Sequence, residues 1–164
     1  PLERICLLDP KAPLPLSVCD AGLHTSSAQA AHTDSAPFTH FLFGGILGDD
    51  PPRDRTASLR QLNFPGRHLG SVQMSTDTAL GVTKRVVEDG LRLGLAELEG
   101  AQGADTASDG TGALAFLDSP TLDFGRGESV ELPYRYLDRG DHTPLMPPGM
   151  RDLIYRDFNR SFEF

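Results

Sequence analysis

Phe38-Thr39-His40-Phe41-Leu42-Phe43 runs straight into Gly44-Gly45-Ile46-Leu47-Gly48-Asp49, and the reading of this junction decides the fold. The aromatic and apolar run reads as a buried strand, and Gly44-Gly45 stops it in a tight turn. Residues 48–56, with Pro51-Pro52 inside, exclude both a strand and a regular helix, because proline removes backbone donors and fixes the chain. A short buried strand that opens into a glycine-rich loop is one unit of an α/β sheet. The neighbouring segments decide whether helices alternate with it.

They do alternate. Upstream, residues 4–8 are a short apolar run closed by Asp9-Pro10, a second buried strand ending in a turn. Downstream, Thr56 is placed to cap a short helix over 57–62, and 67–74 read as a short strand and turn around Leu69-Gly70. Ser75 or Thr76 then caps the strongest helix of the chain. Its stripe is Ala79, Val82 and Val86, with Leu80 and Val87 beside it, and Gly90 closes it. Residues 113–117 form a strand ending at Asp118. Residues 130–137 form another, interrupted at Pro133 and therefore at an edge. Pro147-Pro148-Gly149 precede a final helix over 150–157. Residues 21–37 and 99–112 are low in complexity and read as flexible loops within a single domain spanning 1–164. The expected architecture is an α/β fold with a parallel or mixed sheet. Ligands of such sheets bind beyond the strand C-termini, where the loops 44–56 and 69–78 lie.

Composition narrows the functional classes. The 164 residues carry 15 basic against 23 acidic side chains, a net charge of −8. That balance disfavours a broad basic face for nucleic acid and suits a basic protein partner better, without excluding RNA. The bases are 13 Arg against Lys11 and Lys84, and the rigid fork of Arg suits carboxylate clamps. Nothing approaches the roughly 20 apolar residues of a membrane span. Cys6 and Cys19, the two cysteines, support neither a disulfide framework nor a four-cysteine zinc site, so reduced thiols in a cytoplasmic protein are the simplest expectation. The chain opens on Pro1 rather than Met, which reads as a fragment.

Four stretches carry candidate chemistry. The glycines of 43–50 allow close backbone approach to a ligand, although the spacing is neither dinucleotide-binding nor a phosphate loop. Pattern alone favours an ordinary glycine turn. Arg53-Asp54-Arg55 on its proline turn reads as a carboxylate clamp or as a solvated ion-paired turn. Asp49, Asp50 and Asp54 lack a histidine at ligand spacing, so no metal site is expected. In 69–78 a polar loop enters a helix N-terminus, whose free N–H groups suit either a polar ligand or plain capping by Ser75, Thr76 and Asp77. In 128–136 carboxylates and phenols flank a strand, which an edge strand alone also explains.

Taken in order, these stretches resemble a known family. Ile5-Cys6-Leu7-Leu8-Asp9-Pro10-Lys11-Ala12, Phe41-Leu42-Phe43-Gly44-Gly45-Ile46-Leu47-Gly48-Asp49 and Pro51-Pro52-Arg53-Asp54-Arg55-Thr56 are followed by Arg67-His68-Leu69-Gly70, Gln73-Met74-Ser75-Thr76-Asp77-Thr78-Ala79 and Glu131-Leu132-Pro133-Tyr134-Arg135-Tyr136. The set is similar to the SPOUT-type methyltransferases, in the branch that includes a fungal protein arginine methyltransferase acting on a small-subunit ribosomal protein. The resemblance implies a SPOUT-like α/β sheet with a C-terminal trefoil knot and S-adenosylmethionine as cofactor. It places Gly44, Gly45 and Gly48 in the first knot loop, Leu69 and Gly70 in the second, and Gln73, Met74 and Thr78 over the adenine.

The implied reaction is methyl transfer to an arginine of a ribosomal protein. A guanidinium is a poor nucleophile while protonated, so a carboxylate has to orient it and help remove its proton. Asp49, Asp77 and Glu131 are the candidates because they lie in the matching motifs. An RNA methyltransferase of the knotted class and an inactive knotted domain that binds a protein partner are the alternatives. The sequence departs from the family in two ways. It lacks the first strand and helix of the family domain, and it has Asp50 where the family usually has His. Nothing in the sequence sets an oligomeric state.

Overall fold

The computed structural model describes residues 2–22, 37–44, 56–94, 112–125 and 127–160. The loops expected over 21–37 and 99–112 fall almost wholly outside the described residues, as do Gly45, Gly48, Asp49 and Arg53-Asp54-Arg55.

The first unit is a parallel sheet. Strand β1 (Ile5–Leu8) lies between β2 (His40–Leu42) and β3 (Gly66–Arg67), all three running the same way. Cys6, Leu7 and Leu8 are buried on both faces of β1, as a central parallel strand requires. A 3-10 turn over Val18–Ala21 follows β1 and precedes β2. The expected strand at 67–74 is shorter than its sequence suggested. Beyond Arg67 the chain pairs through His68, whose backbone N–H donates to Leu14 O while its carbonyl accepts from Leu16.

Helix α1 (Ala57–Arg60) is a single turn with Thr56 at its N-cap position, but the Thr56 hydroxyl makes no capping bond. It donates instead to Asp9 Oδ1 at 3.2 Å and accepts from Arg60 Nη1 at 2.8 Å. Helix α2 (Thr76–Val87) carries the expected stripe: Val82 and Val86 are fully buried against Cys6, Leu8, Leu69 and Leu137. Ser75 is its N-cap and accepts from the Thr78 backbone N–H. Leu80, expected beside the stripe, is 58% exposed and faces away from it. The last turn holds Lys84 and Arg85, cations where the helix dipole favours them.

The second unit is antiparallel. Strand β4 (Phe116–Asp118) pairs with β7 (Arg135–Leu137), and β5 (Thr121–Gly125) pairs with β6 (Glu128–Glu131) as a hairpin. The single edge strand expected over 130–137 is therefore two strands in two different ladders. Pro133 supplies no donor, and the chain turns there. Leu122, Leu132 and Tyr136 form a small second core, against which Ile154 of α3 (Met150–Arg160) packs.

One buried ion pair holds the parallel unit together. Arg67 reaches Asp20 with Nε at 2.9 Å and Nη2 at 2.8 Å. The guanidinium also sits over the Phe38 ring at 5.2 Å. Both charges are largely out of water, so each depends on the other. Asp20→Ala should cost about 3–5 kcal/mol of stability, measured by urea unfolding, because it strands a buried guanidinium. Beneath this pair, burial pushes the Cys6 thiol up to about 12, from 9.0. Below pH 9 the thiol is neutral in both states. Between pH 9 and about 12 only the unfolded chain ionises, so stability falls as pH rises across that window. Cys6→Val should make that loss shallower in unfolding curves taken from pH 8 to 12. It should not abolish the loss, since burial also raises the Tyr136 phenol.

Candidate functional site

Because β1, β2 and β3 are parallel, their C-terminal ends open on one side of the sheet, where α/β folds place ligands. Asp9 follows β1, Phe43-Gly44 follow β2, and His68-Leu69-Gly70 follow β3. The N-terminus of α2 reaches the same place. The Thr76 hydroxyl donates to the Gly44 carbonyl at 3.1 Å, so the glycine-rich stretch and the capped helix, 32 residues apart in sequence, meet in space.

The chain between β3 and α2 starts buried at Leu69 and Gly70 and comes to the surface at Ser71 and Val72. Gly70 has φ +118°, a conformation closed to other residues without strain. Its N–H donates to His68 Nδ1 at 3.2 Å, so that nitrogen acts as an acceptor. Leu69 is buried under it. At the far end of the segment, the Arg135 backbone N–H donates to Gln73 O at 3.0 Å, and Met74 bridges Arg135. The Ser75 hydroxyl donates to Thr78 Oγ1 at 2.9 Å, which closes the first turn of α2 on itself. Of the expected cofactor residues, Gly44, Leu69, Gly70, Gln73, Met74 and Thr78 thus share one region. Gly45 and Gly48 lie outside the described residues.

Two of the three candidate carboxylates are described, and they sit on different elements. Asp77 is half-buried in the first turn of α2. Its charge reaches Tyr136: burial, then the Asp77 carboxylate, then Tyr134 push that phenol up, so it stays protonated near neutrality. Glu131 ends β6 on the exposed side of the hairpin, opposite Thr121. Asp49 lies outside the described residues. No group of three or more His, Cys, Asp or Glu side chains converges as metal ligands among the described residues.

Two buried ion-pair residues beside these segments are not evident from the sequence. Asp9, 3% exposed, accepts from Arg60 Nη1 at 2.8 Å, from Thr56 Oγ1 and from the Lys11 N–H at 3.1 Å. In sequence it is a strand-ending turn residue, and the only signal was an i, i+4 Thr–Arg pair 47 residues later. Arg135, 8% exposed, forks onto Asp118, with Nη2–Oδ2 at 2.8 Å, and lies over Phe116. That fork holds the Asp118 carboxyl below the usual carboxylate range. Reading 130–137 as one strand hid Arg135 among alternating surface groups.

The arrangement brings a glycine-containing segment and a helix N-terminus to the C-terminal ends of parallel strands, which suits a small polar ligand held by main-chain groups. Comparison with known proteins narrows this. A family model described as "Protein arginine N-methyltransferase SFM1-like" matches residues 1–161. Protein arginine N-methyltransferase SFM1 of Saccharomyces cerevisiae is 35% identical over 98% of this chain and 62% of its own length. Two crystal structures of the yeast arginine methyltransferase SFM1 share the mixed α/β fold at 35% identity. One, complexed with SAH, has a TM-score of 0.65 over 93% of this chain and 58% of that one. The other, complexed with SAM, has a TM-score of 0.67 over 94% and 56%. The chain therefore spans about three-fifths of the length of these relatives.

The helix entrance is directly testable. Ser75→Ala, which removes a buried cap, should lower stability by about 1 kcal/mol in chemical denaturation. Thr76→Val, which removes an exposed bond, should cost less than that.

Proposed function

The chain belongs to the SFM1-like family of protein arginine N-methyltransferases, and we propose that it binds S-adenosylmethionine and methylates an arginine side chain of a protein. The observation that carries this reading is the meeting of Gly44, Gly70 and the α2 N-terminus at the ends of parallel strands. The residues present fit the cofactor. Gly70 has a backbone conformation that a Cβ would strain, Met74 is a partly buried apolar side chain packed on the core that holds the buried Leu69, and the first turn of α2 carries donors. Gly44, Leu69, Gly70, Gln73, Met74 and Thr78 would hold it, joined by Gly45 and Gly48. The family resemblance extends this to a trefoil knot within one domain and to a protein of the small ribosomal subunit as substrate, in the cytoplasm.

When bound, S-adenosylmethionine supplies an activated methyl on a sulfonium, so placement of the nucleophile accounts for much of the rate. The chain's own residues then have two tasks. One is to fix a guanidinium nitrogen in line with that methyl. The other is to accept the proton that this nitrogen loses as its new bond to carbon forms. Asp77, half-buried on the α2 entrance beside a phenol that stays protonated, is the best-placed described carboxylate for both. Asp49 and Glu131 are the other candidates. The net charge of −8 attracts a basic protein and repels an RNA backbone.

Titration calorimetry with S-adenosylmethionine tests the first half of the proposal, and binding is expected. Transfer of labelled methyl groups should go to small-subunit ribosomal protein rather than to ribosomal RNA. Asp77→Asn should retain cofactor binding while lowering the transfer rate about a hundredfold, the scale of a lost general base. Label on RNA alone would replace this reading with an RNA methyltransferase. Absence of S-adenosylmethionine binding by the folded chain would leave a partner-binding domain.

A further inference from the structure

We infer that Arg135 is a positioning residue that sets the placement of the segment 69–78 from the outside, through strand β7. The ligand part of this inference rests on the function proposed above; the positioning part rests on the described residues alone. Three grips of Arg135 are seen among the described residues. Its backbone N–H donates to Gln73 O at 3.0 Å, and the Met74 bridge fixes the parallel register of that contact. Its guanidinium forks onto Asp118, the residue directly opposite it in the β4–β7 ladder, with Nη2–Oδ2 at 2.8 Å. The same guanidinium lies 5.3 Å from the centre of the Phe116 ring.

These grips act in series. Arg135 is the first residue of a three-residue strand, the position most prone to fray. The fork and the ring hold its side chain, 9% exposed, against β4. With the side chain held, the backbone N–H stays aimed at Gln73. Gln73 and Met74 precede the cap Ser75, so their position sets where the first turn of α2 begins. Ser71 and Val72, just before, are exposed and give the segment no comparable anchor of their own.

The requirement is for a fork, not merely a positive charge. Lysine places one compact charge on a flexible stem, and cannot bind both carboxylate oxygens and cover a ring in one fixed geometry. Asp118 is 57% exposed, so loss of its partner leaves it hydrated. The effect of substituting Arg135 should therefore be local to β7 and the segment it holds.

The test compares the full chain with Arg135→Lys and Asp118→Asn, and with Arg85→Ala as a control for loss of an exposed, ion-paired arginine on α2. Amide hydrogen exchange is followed without ligand, and the dissociation constant for S-adenosylmethionine by calorimetry. In Arg135→Lys, exchange across 69–78 should accelerate at least tenfold while β1 and residues 82–87 keep wild-type protection. Affinity should weaken by a similar factor. Asp118→Asn should move both readouts the same way by less, and Arg85→Ala should move neither. Unchanged exchange over 69–78 in a folded Arg135→Lys protein would overturn the inference. So would acceleration spread equally over β1 and α2, which marks a merely structural residue. If Arg135→Lys does not fold, Asp118→Asn decides by the same two criteria. If the wild-type chain binds no S-adenosylmethionine, the proposed function fails, and the exchange pattern still decides the positioning role.

Discussion

The fold depends first on a carboxylate that is almost out of water. Asp20 accepts both arms of Arg67 from β3, caps its own 3-10 turn through the Ser17 N–H and hydroxyl, and offers its backbone carbonyl to the N–H of Phe38 at the entry to β2. The parallel sheet needs such a centre because its ladders are short. β3 contributes two residues and β2 three, too few for main-chain bonds to fix the edges alone. A buried pair of this kind adds little net stability over apolar packing. What it adds is uniqueness: an Arg fork and a carboxylate meet in one geometry, so the edge strands have one register.

The same device recurs wherever a short element has to be placed. Asp9 at the end of β1 holds Arg60 and Thr56, and so seats α1 on the sheet. Asp118 holds Arg135 and seats β7 on β4. Each pair joins segments distant in sequence, and each arginine is at least partly buried. This gives the skew of 13 Arg over 2 Lys a physical content beyond composition. Lysine carries the charge but not the planar two-point fork. Elements around the ends of the parallel strands are thus placed by side-chain pairs as well as by main-chain bonds.

How much of this was legible beforehand follows from which signals are local. β1 was readable because a four-residue apolar run between polar ends has few other uses. α2 was readable because capping and a 3.6-residue stripe coincide; Val82 and Val86 are its fully buried members. Leu80 misled because it sits next to the stripe in composition while its direction is outward. Gly44 and Gly70 were found as glycines, and the structure supplies the reason for one of them in the positive φ of Gly70. The clamps were not readable in pairs. Asp9 with Arg60 and Asp20 with Arg67 are separated by about fifty residues, and nothing in a single sequence says which carboxylate meets which arginine. The break at Pro133 was noticed, but its consequence depended on partners in space. Tyr134 accepts from Ser119 and Leu132 donates to Pro120, so the chain turns from one ladder into another.

That turn has a structural consequence. The described residues form two hydrophobic clusters, and β7 belongs to both. Leu137 lies in the larger cluster with Val82 and Val86, whereas Tyr136 lies in the smaller one with Leu122 and Leu132. Successive side chains of a strand point to opposite faces, so a strand buried on both faces is the natural joint between two cores. All three residues of β7 are buried, whereas β1 begins on the half-buried Ile5. Its first residue contacts the segment that leads into α2, and its second carries the phenol that senses Asp77. Through these contacts β7 links the hairpin and α3 to the segment that leads into α2.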